Sequence, residues 1–116
     1  MVLAVYGLKN CDTCRKALKD LDDAEREHRF FDVREDVDRV RKVPNWIDAV
    51  GSALVNTRST TWRNLSVEDR AIAEDDPAGL LISHPTLIKR PVIEIGGEVR
   101  IGWTPAVKRE VLELSA

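Results

Sequence analysis

The apolar positions of this chain alternate between two periods, and the changes of period mark its elements. Val2-Leu3-Ala4-Val5-Tyr6 is a β-rich apolar run, the pattern of a strand buried within a sheet. After the loop Gly7-Leu8-Lys9-Asn10, residues Cys14, Ala17, Leu18 and Leu21 recur at i, i+3, i+4 and i+7. That spacing predicts a helix over roughly 12–23 with one apolar face. Arg29-Phe30-Phe31-Asp32-Val33 reads as a second strand. A helix lies between the two strands, so they are expected to run parallel in a βαβ unit.

From about residue 34 to 83 the period is helical and no strand is expected. Val43, Trp46, Ile47 and Val50 share one helical face, and Gly51 follows where a C-terminal cap belongs. Proline is tolerated in the first turn of a helix, so this helix either begins near 43 or is kinked at Pro44. Ser66 with Asp69 forms a capping arrangement for a helix over 67–74. Asp76-Pro77 can start another helix, closed by His84-Pro85. The β pattern then returns. Pro91 to Ile95 and Glu98 to Gly102 flank Gly96-Gly97, a strong hairpin signal. Thr104 as N-cap and Pro105 at the first helical position open a final helix, with Val107, Val111 and Leu114 as its expected buried stripe. The order β-α-β, helical insertion, β-β-α is an α/β thioredoxin topology with an inserted helical lobe. The length suits a single domain over 1–116, with the insertion at about 34–83.

Composition narrows the function classes. The net charge is −2 in 116 residues, with both signs interspersed and no basic run, so direct nucleic-acid binding is not expected. No apolar stretch approaches the ~20 residues of a membrane span. Met1 leads straight into the first strand-like run with no signal-peptide pattern, so a cytoplasmic, reducing location is expected. In that setting the two cysteines point to catalysis, redox sensing or metal binding rather than to a static disulfide.

The cysteines sit as Cys11-Asp12-Thr13-Cys14, between a strand, a tight loop and a helix start. Unpaired backbone N–H groups and the positive end of the helix dipole favour a thiolate there, and Lys9, Arg15 and Lys16 add positive charge nearby. Cys11, at the helix start, is the expected nucleophile. Cys14 lies one turn in, where it either resolves a mixed disulfide on Cys11 or serves as a small core residue on the apolar face. A zinc site needs about four ligands. Two cysteines and the scattered His28 and His84 do not supply one, and no metal is expected. Arg58, in Asn56-Thr57-Arg58, and Arg90, in Ile88-Lys89-Arg90-Pro91, are candidate anion-binding groups because a guanidinium makes bidentate hydrogen bonds. Spacing alone leaves open whether they converge on the thiolate or serve as surface ion-pair residues. Pro91 either opens a strand or forms a cis bond in a tight turn.

Three segments together resemble the arsenate-reductase-like family that contains ArsC, Spx and YffB proteins. They are Tyr6-Gly7-Leu8-Lys9-Asn10-Cys11-Asp12-Thr13, Asn56 to Arg63 (N-T-R-S-T-T-W-R), and His84 to Pro91 (H-P-T-L-I-K-R-P). The likeness runs nearly end to end and is nearest the YffB branch. It implies a thioredoxin-like fold, Cys11 as catalytic thiol, Arg58 and Arg90 as its basic partners, and a cis Arg90–Pro91 bond. Arsenate reductases of this family attack arsenate with the thiolate, resolve the adduct with glutathione and hold the oxyanion with three arginines. Here Trp103 stands near the place of the third arginine, and Cys14 is an added cysteine at a position where Spx carries a C-x-x-C redox switch.

The resulting expectation is a cytoplasmic thiol oxidoreductase linked to glutathione or another small thiol, with no bound cofactor. Cys11, Cys14, Arg58 and Arg90 are its catalytic group, and Lys9, Asn10, Thr13, Pro91 and Trp103 are its substrate-binding residues. The alternatives are an Spx-like redox-sensing adaptor that binds a protein partner, and a weak arsenate reductase fed by glutathione and glutaredoxin. A protein partner would be a glutaredoxin-like donor or, as for Spx, the transcription machinery.

Overall fold

The computed structural model of the protein describes residues 2–116. In chain order it contains β1 (Leu3–Gly7), α1 (Asp12–Asp23), β2 (His28–Asp32), α2 (Arg39–Val50), α3 (Thr60–Asn64), α4 (Val67–Asp75), α5 (Pro77–Ser83), β3 (Val92–Ile95), β4 (Glu98–Ile101) and α6 (Pro105–Leu114). Short 3-10 turns occupy Gly51–Leu54 and Pro85–Leu87. The chain forms two compact units. One combines the residues up to Asp36 with Arg90–Ala116, and the other is Val37–Lys89.

The first unit is built on a four-stranded sheet of order β2-β1-β3-β4. β1 and β2 are parallel, with Leu3 opposite His28 and Gly7 opposite Asp32, as the intervening α1 requires. β3 runs antiparallel to β1, with Val5 opposite Ile93, and pairs with β4 as a hairpin. The turn uses Gly96 and Gly97, both at positive φ (51° and 90°). Few side chains tolerate that conformation at two successive positions, so the Gly-Gly pair specifies this hairpin. This is the thioredoxin-like arrangement expected from the element order.

The core of this unit gathers Leu3, Val5, Ile93 and Ile95 from the sheet, Ala17 and Leu21 from α1, Trp103, and Val111 from α6. The stripe expected on α6 is only partly right. Val111 is buried and Val107 half-buried, but Leu114 is 38% exposed. The helix ends at Leu114, and Leu112 packs against the core instead.

The second unit is helical apart from one short pairing. Its α2 starts at Arg39, a turn before the expected position, and carries Pro44 inside it. Gly51 closes it, its N–H bonded to the Ile47 carbonyl. Ser66 caps α4 through its hydroxyl, which accepts from the Asp69 N–H as expected. As expected, no strand lies between β2 and β3 among the described residues; the pairing is an isolated bridge. Val55 and Ile88 form an antiparallel bridge, flanked by Asn56 N–H to Leu87 O and Lys89 N–H to Leu54 O, both 2.7 Å. A pairing this short has no periodicity to detect. The five-residue α3, capped by the Ser59 hydroxyl on the Trp62 N–H, was likewise too short to read from spacing.

Candidate functional site

The site begins where β1 ends. Leu8 is buried, Lys9 and Asn10 are exposed, and a turn closes with the Cys11 N–H on the Leu8 carbonyl at 3.2 Å. Cys11 is the N-cap of α1: its backbone is extended (φ −95°, ψ 120°), and its carbonyl accepts the Arg15 N–H at 3.0 Å. The first N–H groups of a helix have no partners within it, and together with the positive end of the dipole they favour an anion at the N-cap.

Both thiols are free, Cys11 half-buried and Cys14 fully buried. Burial is the largest single influence on Cys11 and works against its thiolate. The Cys14 N–H, the Cys14 thiol, the Arg90 guanidinium and the Thr13 N–H together outweigh it and hold the Cys11 thiol below its ordinary value. Cys14 goes the other way. Burial is the largest influence and pushes it up to about 12; the Leu8 backbone opposes it, the neighbouring Cys11 group adds to it, and Arg90 opposes it weakly.

Arg90 is therefore the cation that acts on the thiol pair. It is half-buried, and its peptide bond to the buried Pro91 is cis, as the family likeness implies. The Pro91 carbonyl in turn accepts the Gly102 N–H at 2.9 Å. The positive charges expected from the sequence are placed elsewhere. Arg15 pairs with the exposed Asp12, and Lys16 pairs with Asp20 at 3.1 Å. Helical residues three or four apart face each other, so these cations find carboxylates on their own helix. Lys9, Asn10 and Thr13 are exposed around the Cys11 turn. Arg58 belongs to the second unit, where it is exposed and its N–H bonds to Asn56 Oδ1 at 3.2 Å.

Trp103, expected among the substrate-binding residues, is packed in the core of the first unit at 9% exposure. Its indole N–H is committed to Asp20 Oδ2 at 2.8 Å. Two residues missed by sequence reasoning matter here. Gly7 lies against the Cys14 sulfur: a Cβ built on it would overlap Cys14 Sγ. Glycine at the end of β1 is what lets the α1 sulfur approach the backbone so closely. A glycine just ahead of the C-x-x-C was the available signal. The other is Asp20, for which only its i, i+4 spacing to Lys16 was visible.

Asp20 gathers three donors: the Trp103 indole, Lys16, and Lys108 at 3.5 Å. The Trp103 hydrogen bond, aided by the two lysines and opposed by burial, holds its carboxyl at about 2, against an ordinary 3.8. A depressed carboxyl contributes stability that is present above the unfolded value and is lost as pH falls through the folded one. At ~1.4 kcal/mol per pKa unit the contribution is at most roughly 2.5 kcal/mol. Asp20→Asn should therefore destabilise the protein in urea melts at neutral pH, and the difference from wild type should shrink as pH falls from about 4 towards 2. A difference independent of pH would mean that the carboxylate charge is not what Asp20 contributes.

The pattern that defines the ArsC family matches residues 6–111. The chain belongs to the ArsC family. An uncharacterized Haemophilus influenzae protein is 42% identical over 104 residues, covering 88% of this chain and 91% of its own. A solved structure of a YFFB protein has a TM-score of 0.85 at 32% identity, over 95% of this chain and 98% of that one. The global transcriptional regulator Spx of Staphylococcus saprophyticus is 23% identical over 105 residues, covering 88% of this chain and 80% of its own. The ArsC assignment and the YffB likeness thus agree with the motifs around Cys11, Arg58 and Arg90. Among the described residues, no helix of this ArsC-family chain is long and apolar enough to cross a membrane.

Proposed function

We propose that this chain is a thiol oxidoreductase that uses glutathione as co-substrate, with Cys11 as its nucleophile. The observation that carries the reading is the half-buried Cys11 thiol at the α1 N-terminus, favoured as thiolate by backbone N–H groups and Arg90. A low-pKa, accessible sulfur beside a cation is what thiol–disulfide exchange requires. In the proposed reaction the Cys11 thiolate attacks the glutathione sulfur of a mixed disulfide. The Cys11–glutathione bond forms, the old S–S bond breaks, and the other thiolate leaves and is protonated by solvent. A second glutathione thiolate then attacks the bound glutathione sulfur. Oxidised glutathione departs and the Cys11 thiolate returns. Arg90 favours the thiolate in the resting state and offers a bidentate partner for a glutathione carboxylate. For Arg58 the support is the family motif alone.

The test is glutathione-dependent reduction of a small mixed disulfide. Arg90→Lys keeps the charge but not the planar fork, so kcat/KM for glutathione should fall by about tenfold, the worth of one hydrogen bond to a charged group. Arg58→Lys, assayed in parallel, asks whether the second arginine contributes. Full activity in both variants, with unchanged Cys11 alkylation, would make the arginines structural.

A second reading, the Spx-like adaptor, draws on the two free thiols three residues apart at the start of α1, a natural place for a redox switch. It requires a protein partner whose binding changes with oxidation of the pair, and it is favoured if the chain shows no turnover. Arsenate is expected to be a poor substrate. A compact oxyanion beside a thiolate needs several converging donors, and Trp103, near the place of the third arginine, has its one N–H committed to Asp20.

A further inference from the structure

We propose that the helical second unit carries a binding site for a small apolar monocarboxylate, in the cavity between α4 and the 52–62 segment, with Arg70 as its anion-binding group. The site lies within that unit and does not depend on the thiol chemistry of Cys11.

The helix α4 buries none of its residues. Val67, Arg70, Ala71 and Glu74 fall at i, i+3, i+4 and i+7, so they share one helical face. In a globular unit the apolar side of a helix normally packs on the core. Here Val67 is 77% exposed, and the face lines a cavity of about 510 Å³. The 52–62 segment supplies Val55 and Trp62 to the same cavity. The volume falls in the range of small-molecule sites, roughly 300–1,000 Å³, and apolar walls with a few polar groups are their usual make-up.

The polar groups are mainly donors. Ser52 and Thr57, both exposed, also line the cavity. Among the described residues, neither hydroxyl nor the Trp62 indole N–H has a hydrogen-bond partner. Thr57 and Trp62 belong to the N-T-R-S-T-T-W-R segment, and the chemistry proposed for Cys11 gives neither of them a role.

Arg70 selects the charge of the ligand. Its Nε–H donates to the Trp62 carbonyl at 3.1 Å and its Nη2 to the Arg63 carbonyl at 2.7 Å. Its guanidinium carbon lies 5.9 Å from the Trp62 ring centroid. These contacts with the end of α3 hold the planar group in place beside the indole. Among the described residues Nη1 has no partner, so the fork keeps donors for an anion. Glu74, on the same face, forms no ion pair among the described residues. Its charge repels a second negative group, which disfavours phosphates and dicarboxylates. A single carboxylate on an apolar body fits what remains: the carboxylate on Arg70 and the hydroxyls, the body against Trp62, Val55 and Val67.

The probe is phenylpropanoate, titrated into the full chain and followed by amide chemical shifts. Phenylpropanamide and phenylpropylamine keep the body and change the charge to neutral and positive. Phenylpropanoate should give saturable shifts within residues 52–74, with half-saturation at about 1 mM or below. The amide should bind at least about tenfold more weakly, the worth of a charged hydrogen bond. Ala71→Leu, at an exposed helix position, should keep the fold and weaken binding at least about tenfold by filling the cavity. Arg70→Gln keeps an N–H donor for the α3 carbonyls and should bring acid and amide to equal affinity. If that variant does not fold, the comparison of acid with amide on the wild type decides the same point. Shifts that grow without saturating, or undiminished binding in Ala71→Leu, would overturn the site. Equal binding of acid and amide by the wild type, or tighter binding of the amine, would overturn the assignment of a carboxylate to Arg70.

Discussion

Cys11→Ser should lower glutathione-dependent turnover by at least about a thousandfold, because the chemistry has no second nucleophile to fall back on. A serine hydroxyl at the same N-cap meets the same N–H groups and the same Arg90, yet it stays protonated at neutral pH and does not exchange with disulfides. The loss should be specific to chemistry. Serine is a preferred N-cap residue, worth up to ~1 kcal/mol over a non-capping side chain, and Cys11 is only half-buried. The variant should therefore melt at the wild-type temperature or slightly above it. In the wild type, the alkylation rate of Cys11 should titrate below the ordinary cysteine value, since its thiol is held down by the Cys14 N–H and thiol, Arg90 and the Thr13 N–H. Alkylation should accordingly persist to lower pH than that of a free cysteine. Substantial turnover in Cys11→Ser, or an ordinary titration at Cys11, would take the nucleophile away from this position.

Trp103→Ala should destabilise the protein by about 3–5 kcal/mol, the usual cost of truncating a buried tryptophan. Trp103 packs with Leu3, Val5, Leu21, Ile93, Ile95 and Val111, so its removal opens the centre of the first unit. It also takes from Asp20 the donor that contributes most to keeping that carboxylate charged. Trp103→Phe keeps most of the volume and loses only the N–H, so it should cost about 1–3 kcal/mol. Urea melts of the three proteins, with far-UV circular dichroism, read both numbers. The placement also settles what to expect of Trp103→Arg. With Trp103 in the core, an arginine there should cost stability and bring no gain in arsenate turnover. A Trp103→Ala protein as stable as wild type would mean that the side chain is not packed as described.

The legible parts of the fold were those with a repeating signal. The stripe Cys14, Ala17, Leu18, Leu21, the Gly96-Gly97 hairpin and the Thr104-Pro105 helix start each follow from local rules of period, turn and cap, which need no knowledge of distant residues. The short Val55–Ile88 bridge and α3 were not legible, because two or five residues carry no period. Within the site, the position of the proposed nucleophile was legible for the same local reason: a cysteine between a strand and a helix start lies by unpaired N–H groups wherever the chain goes next. What a side chain meets across the fold is a different matter. Arg15 and Lys16, near in sequence, spend their charge on Asp12 and Asp20, whereas Arg90, remote in sequence, acts on the thiol pair. Trp103 looked like a substituted binding residue and is a core residue tied to α1 through Asp20. Gly7 looked like a loop glycine and is the seat of the Cys14 sulfur. The sequence by itself determined the longer elements, their order and the candidate sulfur, since these depend on backbone hydrogen bonding and on residues within a turn or two. Only the tertiary structure decided which cation serves that sulfur, which thiol is buried and which indole is core, because burial and charge contacts depend on segments that folding alone brings together.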